Sequence, residues 1–222
     1  MNAVAERLRL VEESLPAGVE LVAVSKFHPA DAVAEAYSAG QRLFGESRVQ
    51  ELTAKAAALP PDIRWHFIGH LQTNKVRALL AVPNLVLIES VDSERLLECI
   101  DREAARLGRT ARVLLQVHVA AEETKFGMLP SEFIDYFACR HFEALKATHI
   151  CGIMGMASNT DDSTRVAADF AAIADLRRRA LELAPDLRGF DTVSMGMSHD
   201  YPLAIAAGAN LVRVGTAIFG ER

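Results

Sequence analysis

The sequence is short of cysteine, of net positive charge and of long apolar runs, and each shortage removes a class of protein. Three cysteines, Cys99, Cys139 and Cys151, are scattered along 222 residues, with no CxxC pair and an odd total. A disulfide framework and a zinc site are therefore not expected, and a reducing, cytoplasmic setting fits best. Lys and Arg number 24 against 29 Asp and Glu, a net charge of -5. That balance offers no concentrated positive surface to nucleic acid or to an anionic membrane. No uncharged apolar run approaches the roughly 18 residues needed to span a bilayer. Near the N-terminus Glu6, Arg7, Arg9, Glu12 and Glu13 rule out an apolar signal-peptide core. There is no HExxH, and no serine sits in a GxSxG elbow.

What is present is a large apolar fraction, 50% of residues, enough for the core of one sizeable domain over residues 1–222. A helix is expected at 2–14, capped by Asn2, with Val4, Leu8, Val11 and Leu15 at helical spacing. Strands rich in Val, Ile and Leu follow at 21–25, 42–44, 64–68, 85–89, 112–119, 149–153, 190–194 and 210–214. Between them come helices at 29–39, 46–58 and 71–80, one capped by Asp92 or Ser93, one opened by Pro130, one at 163–183 and a short one ending near Ala207. Eight βα units point to a (β/α)8 TIM-type barrel, with an open doubly wound sheet as the alternative. No full eighth helix fits after residue 214, and the extra N-terminal helix can cover that gap.

In such a barrel chemistry gathers where strands exit, and phosphate often binds after strands seven and eight. Strand seven runs into Ser194-Met195-Gly196-Met197-Ser198, and strand eight runs into Arg213-Val214-Gly215-Thr216. Each stretch alone can be a tight turn; together they suit a phosphate cradle, since glycine permits close approach and hydroxyls add donors. Lys26 ends strand one, beside strand eight. By itself it is either solvent punctuation or a placed amine. Facing a phosphorylated aldehyde it would form a Schiff base, with a carbonyl substrate or with pyridoxal phosphate, and desolvation and Arg213 would favour its neutral form. His66 and His118 lie on strands and read as core histidines as readily as functional ones. His28, His70 and His199 lie in loops, and no metal-ligand spacing joins them to a carboxylate. Met154, Met156, Met195 and Met197 read as gap-filling core. Glu122 to Lys125 reads as a solvated loop.

The set Val24-Ser25-Lys26, Phe44-Gly45-Glu46, His66-Phe67-Ile68-Gly69, Leu71-Gln72, Asn74-Lys75, Ser194-Met195-Gly196-Met197-Ser198 and Arg213-Val214-Gly215 with Ile218-Phe219-Gly220 resembles the pyridoxal-phosphate homeostasis proteins. These are single-domain relatives of the barrel domain of alanine racemase. The resemblance implies that Lys26 carries pyridoxal 5'-phosphate as an internal aldimine. It implies that Ser194, Ser198, Gly215 and Thr216 hold the phosphate and that Arg213 approaches the pyridine nitrogen. The implied role is vitamin B6 homeostasis in the cytoplasm without robust catalysis, with pyridoxal-phosphate-dependent apo-enzymes as partners. A monomer is expected, because no broad apolar surface pattern forces a dimer. Three positions depart from the family pattern: Ser47 and His118 replace asparagines, and the segment 152–157 does not run toward a proline. A racemase is the alternative; the opposing tyrosine of such enzymes comes from a second domain, and only Tyr201 lies near the expected mouth. A lysine-dependent aldolase-type barrel is a third reading.

Overall fold

The computed structural model describes residues 3–122 and 126–221. The Asn2 cap and most of the loop expected at Glu122 to Lys125 fall outside these residues. Eight parallel strands close into a barrel in chain order: β1 Glu20–Val24, β2 Leu43–Glu46, β3 Arg64–Phe67, β4 Leu85–Val91, β5 Ala111–Val117, β6 Thr148–Gly155, β7 Thr192–Ser194 and β8 Leu211–Val214. Around them run α1 Ala3–Ser14, α2 Ala30–Ser38, α3 Val49–Ala58, α4 Val76–Leu80, α5 Glu94–Arg106, α6 Pro130–Ala138, α7 Ser163–Leu183, α8 Tyr201–Ala206 and α9 Thr216–Phe219. The expected TIM-type barrel is the fold, and the open sheet is excluded by the β1–β8 pairing, Val22 opposite Arg213 and Ala23 opposite Val214.

Side-chain alternation builds two layers. Val22, Val24, Leu43, Leu87, Leu114, Met154 and Leu211 fill the barrel interior. Leu21, Ala23, Phe44, Trp65, Phe67, Ile88, Val113 and Leu115 point outward into the helices. Both faces are buried, which is why these strands read as nearly continuous apolar runs. Ser93 caps α5 through Leu96 N–H, and Asp162 caps α7 through Thr164 and Arg165 N–H.

The N-terminal helix does cover the missing eighth helix. α9 is only a four-residue remnant, and α1 lies on it, with the Arg7 guanidinium donating to the Ile218 carbonyl at 2.6 Å. Several boundaries differ from those the periodicity predicts. β2 continues through Gly45 and Glu46, so the helix expected from residue 46 starts at Val49. The segment 71–80 is a 3-10 turn at Thr73–Lys75 followed by the short α4. β4 runs on to Val91 and β6 to Gly155, while β7 keeps only three residues. β6 also kinks at Gly152, whose φ is +155° and whose absent Cβ would lie 1.9 Å from the Thr192 carbonyl oxygen. Only glycine lets those strands approach so closely.

Candidate functional site

At the C-terminal ends of the strands a cavity of about 250 Å³ opens, lined by Val24, Lys26, His28, Ile68, Met154, Met156, Met197, Ser198, His199, Arg213, Gly215 and Thr216. Five of the six residues singled out from the sequence, Lys26, Ser198, Arg213, Gly215 and Thr216, meet there. Strand alternation explains Lys26: Val22 and Val24 point inward, Ser25 is turned outward and buried, and Lys26 faces inward again at the rim. On the neighbouring strand exits the Ser198 hydroxyl accepts from the Gly215 N–H at 3.1 Å and the Ala217 N–H at 3.4 Å, tying the β7 loop to the start of α9. Gly196 permits that loop, with φ +94° and an absent Cβ that would sit 2.6 Å from the Ala204 methyl carbon.

Ser194 is the exception. It is fully buried at the end of β7 and does not line the cavity. Its hydroxyl donates to Glu89 Oε2 and accepts from Arg213 Nη1, each at 2.5 Å. Ser194 thus faces the barrel axis one layer below the mouth and contacts Arg213 and Glu89 there.

That layer is a polar ladder inside an apolar barrel. His66 Nδ1 meets Glu89 Oε1 at 2.5 Å, Arg213 Nη1 stands 3.7 Å from Glu89 Oε2, and Arg213 Nη2 donates to the Gly155 carbonyl at 3.0 Å. Burial alone would push the Glu89 carboxyl up, but His66, Arg213 and Ser194 together hold it below its ordinary value. Burial lowers Arg213, opposed by the charges of Glu89 and Asp200; a guanidinium nonetheless stays protonated in proteins. Two of its nitrogens are engaged by this scaffold, so the side chain is aimed before any ligand arrives.

Glu89 was not a sequence-level candidate. Its only signal is a carboxylate set within the apolar run Leu85-Val86-Leu87-Ile88-Glu89. A second set was also missed: Glu46, Lys55 and Glu51, whose charged ends converge beneath the backbone of Ser25. Neither Ser47 nor His118 lines the cavity. The Ser47 backbone instead presses on Gly69, where a Cβ would meet its carbonyl oxygen at 2.1 Å. The loop that follows β6 does contribute Met156 to the cavity. It is anchored by Asp169, which accepts from the Ser158 N–H and hydroxyl at 2.8 and 2.6 Å.

Among the described residues no tyrosine lines the cavity. The Tyr201 hydroxyl is 2.8 Å from Ser14 Oγ on α1, Tyr37 donates to Asp62, and Tyr136 is buried beside Phe137. The donor set therefore has an amine at the exit of β1, two hydroxyls and a glycine backbone at the adjacent exits of β7 and β8, and a fixed guanidinium on β8. A small phosphorylated aldehyde with a ring fits that chemistry: the hydroxyls and backbone suit its phosphate, the amine its carbonyl carbon.

The family model for the N-terminal domain of alanine racemase matches residues 1–222. The chain is 41% identical over 207 residues to a pyridoxal phosphate homeostasis protein of Schizosaccharomyces pombe, covering 92% of this chain and 84% of that one. It is 41% identical over 230 residues to the Homo sapiens protein of the same name, covering 100% and 82%. Among solved structures, PipY of Synechococcus elongatus without pyridoxal phosphate superposes with a TM-score of 0.91 at 43% identity, covering 98% of this chain and 100% of that one. The form of PipY with pyridoxal phosphate bound gives 0.88 at 42%, over the same shares. Alanine racemase of Streptomyces coelicolor shares the fold, at a TM-score of 0.76 and 23% identity over 99% of this chain and 58% of that one.

Proposed function

The chain belongs to the alanine racemase N-terminal domain family, and from that premise we propose that it is a pyridoxal 5'-phosphate-binding protein of cofactor homeostasis. The cofactor is held as a Schiff base on Lys26, in a single binding domain without robust catalysis of its own. The observation that carries this reading is the convergence in one cavity of Lys26 from β1 with Ser198, Gly215 and Thr216 from the ends of β7 and β8. Ser198 and Thr216 offer hydroxyls to the phosphate, and Gly215, whose N–H is held by Ser198 Oγ, adds no side chain at the rim. Lys26 offers the amine, and Met154, Met156 and Ile68 shield the ring from water.

Arg213 brings a cation where a ring nitrogen would lie. A pyridine nitrogen left unprotonated beside a cation makes the cofactor a poorer electron sink than an aspartate partner would. Ser194 acts by holding Arg213, not by touching phosphate. The absence of tyrosine from the described cavity lining supports a holding role over the racemase alternative, which needs an acid/base group on each face of the ring. The cytoplasm is the proposed location, a monomer is the proposed working unit, and apo-forms of pyridoxal-phosphate enzymes are the proposed recipients.

The test is chemical. Protein loaded with pyridoxal phosphate is expected to be yellow, and borohydride reduction followed by peptide mapping should place the adduct on Lys26. A colourless protein that takes up no cofactor, or an adduct elsewhere, overturns the reading. Conversion of D- to L-amino acids at ordinary enzyme rates would favour the racemase instead.

A further inference from the structure

Directly behind the wall that carries Lys26, between the barrel and α3, lies a buried charged cluster. Lys55 on α3 is almost fully buried, and so is Glu46 at the end of β2. Lys55 Nζ donates to Glu46 Oε1 at 2.6 Å, to Glu51 Oε1 at 2.9 Å and to the Ser25 carbonyl at 2.9 Å. The Ser25 hydroxyl donates to Glu46 Oε1 at 2.6 Å. Glu51 Oε1 also accepts the backbone N–H of Phe27 at 2.8 Å. The peptide units on either side of Lys26 are thus held by Lys55 and Glu51, while Glu46 holds the Ser25 hydroxyl and Lys55 itself. The Ser25 carbonyl accepts a second bond from the His28 N–H, and the Ser25 N–H pairs with the Gly45 carbonyl.

The backbone held this way is an unusual one. Phe27 has φ +68°, a left-handed conformation that is a genuine outlier for a bulky side chain. Such conformations persist only where the surroundings over-determine them, and they cluster at functional positions. Here the Glu51 carboxylate fixes the Phe27 N–H, and the Arg48 guanidinium covers the Phe27 ring at 4.6 Å. A buried ion pair gives little net stability compared with apolar side chains of the same volume. A lysine and a glutamate placed here are better explained by the geometry they impose.

We propose that Lys55, Glu46 and Glu51 are positioning residues for Lys26: they lock the turn Ser25-Lys26-Phe27 so that the amine projects into the cavity. The role rests on the proposed function and extends it to the layer behind the site. None of the three reaches the cavity lining; they act through the backbone that carries Lys26.

Glu51→Ala is the discriminating variant, because Glu51 is only partly buried and its loss leaves the Lys55–Glu46 pair in place. Two ligands separate the effects: pyridoxal phosphate, which can bond to Lys26, and pyridoxine phosphate, which carries the same phosphate but no aldehyde. Loss of alignment should weaken retention of pyridoxal phosphate about tenfold, equivalent to about 1.4 kcal/mol, and leave pyridoxine phosphate binding unchanged. Glu51→Gln keeps a carbonyl oxygen for the Phe27 N–H and should restore most of the difference. Equal weakening of both ligands, or no weakening of either, overturns the proposal. A parent protein with no borohydride-trapped adduct on Lys26 overturns the functional reading and this one with it. A parent that traps normally beside an unaffected Glu51→Ala overturns this one alone.

Discussion

Replacing Glu89 by glutamine keeps the shape of the side chain and removes its charge, and the surroundings of Arg213 determine the cost. Arg213 is 4% exposed and Glu89 is fully buried, so the variant leaves a guanidinium inside the barrel with hydrogen bonds to Ser194 and the Gly155 carbonyl and only the more distant charge of Asp200 among the described residues. Breaking a buried pair from one side costs about 3–5 kcal/mol. For a chain of this length each kcal/mol moves the melting temperature by about 2–4 °C, so a loss of about 6–20 °C is expected at neutral pH. The pH dependence is the sharper part. Glu89 has a folded pKa below its unfolded value of 4.5. Its contribution is therefore complete above pH 4.5 and is lost as pH falls through the folded value. Glu46 runs the opposite way, raised by burial against the pull of Lys55 and Ser25, but it is common to parent and variant and cancels in their difference. Calorimetric melts of both proteins from neutral to acid pH should show a difference that closes as pH falls below 4.5. A neutral-pH loss under about 3 °C, or a difference that does not close in acid, would refute the account of this ladder.

The cavity mouth and the β6–β7 contact each carry an expectation of their own. Lys26→Ala should abolish the borohydride-trapped adduct yet retain weakened, phosphate-anchored binding of pyridoxal phosphate, measured by equilibrium dialysis; total loss in a folded variant would mean that the hydroxyl wall does not anchor the ligand. Gly152→Ala places a Cβ within 1.9 Å of the Thr192 oxygen at a φ of +155° and should destabilise the barrel by well over 2 kcal/mol, at or beyond the usual range for overpacking; a soluble variant melting within a few degrees of the parent would contradict the close β6–β7 approach.

The barrel was legible because its signals are local. Strand-length apolar runs alternate with amphipathic helices, and the short tail after β8 together with the added first helix indicated how the barrel closes. Lys26, Ser198, Gly215 and Thr216 were legible for a related reason: each stands at a strand exit, and topology turns strand exits into one mouth. Glu89 and Glu46 were not. A carboxylate on a strand looks the same whether it faces solvent or a guanidinium, and the partners of Glu89 come from β3, β7 and β8. Ser194 sits in the expected strand but in a deeper layer, since one pleat decides between cavity and interior, and β7 begins at Thr192, two residues later than its apolar run suggests. Lys55 sits in an ordinary amphipathic helix, and nothing in its spacing announces that its ammonium reaches back to the Ser25 carbonyl.

The seam between β1 and β8 has a consequence for how the protein comes to exist on the ribosome. Lys26 lies just past the first strand of the barrel, while Ser198, Arg213, Gly215 and Thr216 lie in or just past its seventh and eighth. An emerging chain thus displays the Lys26 amine long before the residues near β7 and β8 that line the same cavity. A ligand held by both sets would have to wait for β8 to emerge, and would then bridge the two strands on which ring closure depends. In binding it rivets the seam, so loading should register as slower opening of β1 and β8 in particular, ahead of any change elsewhere in the ring.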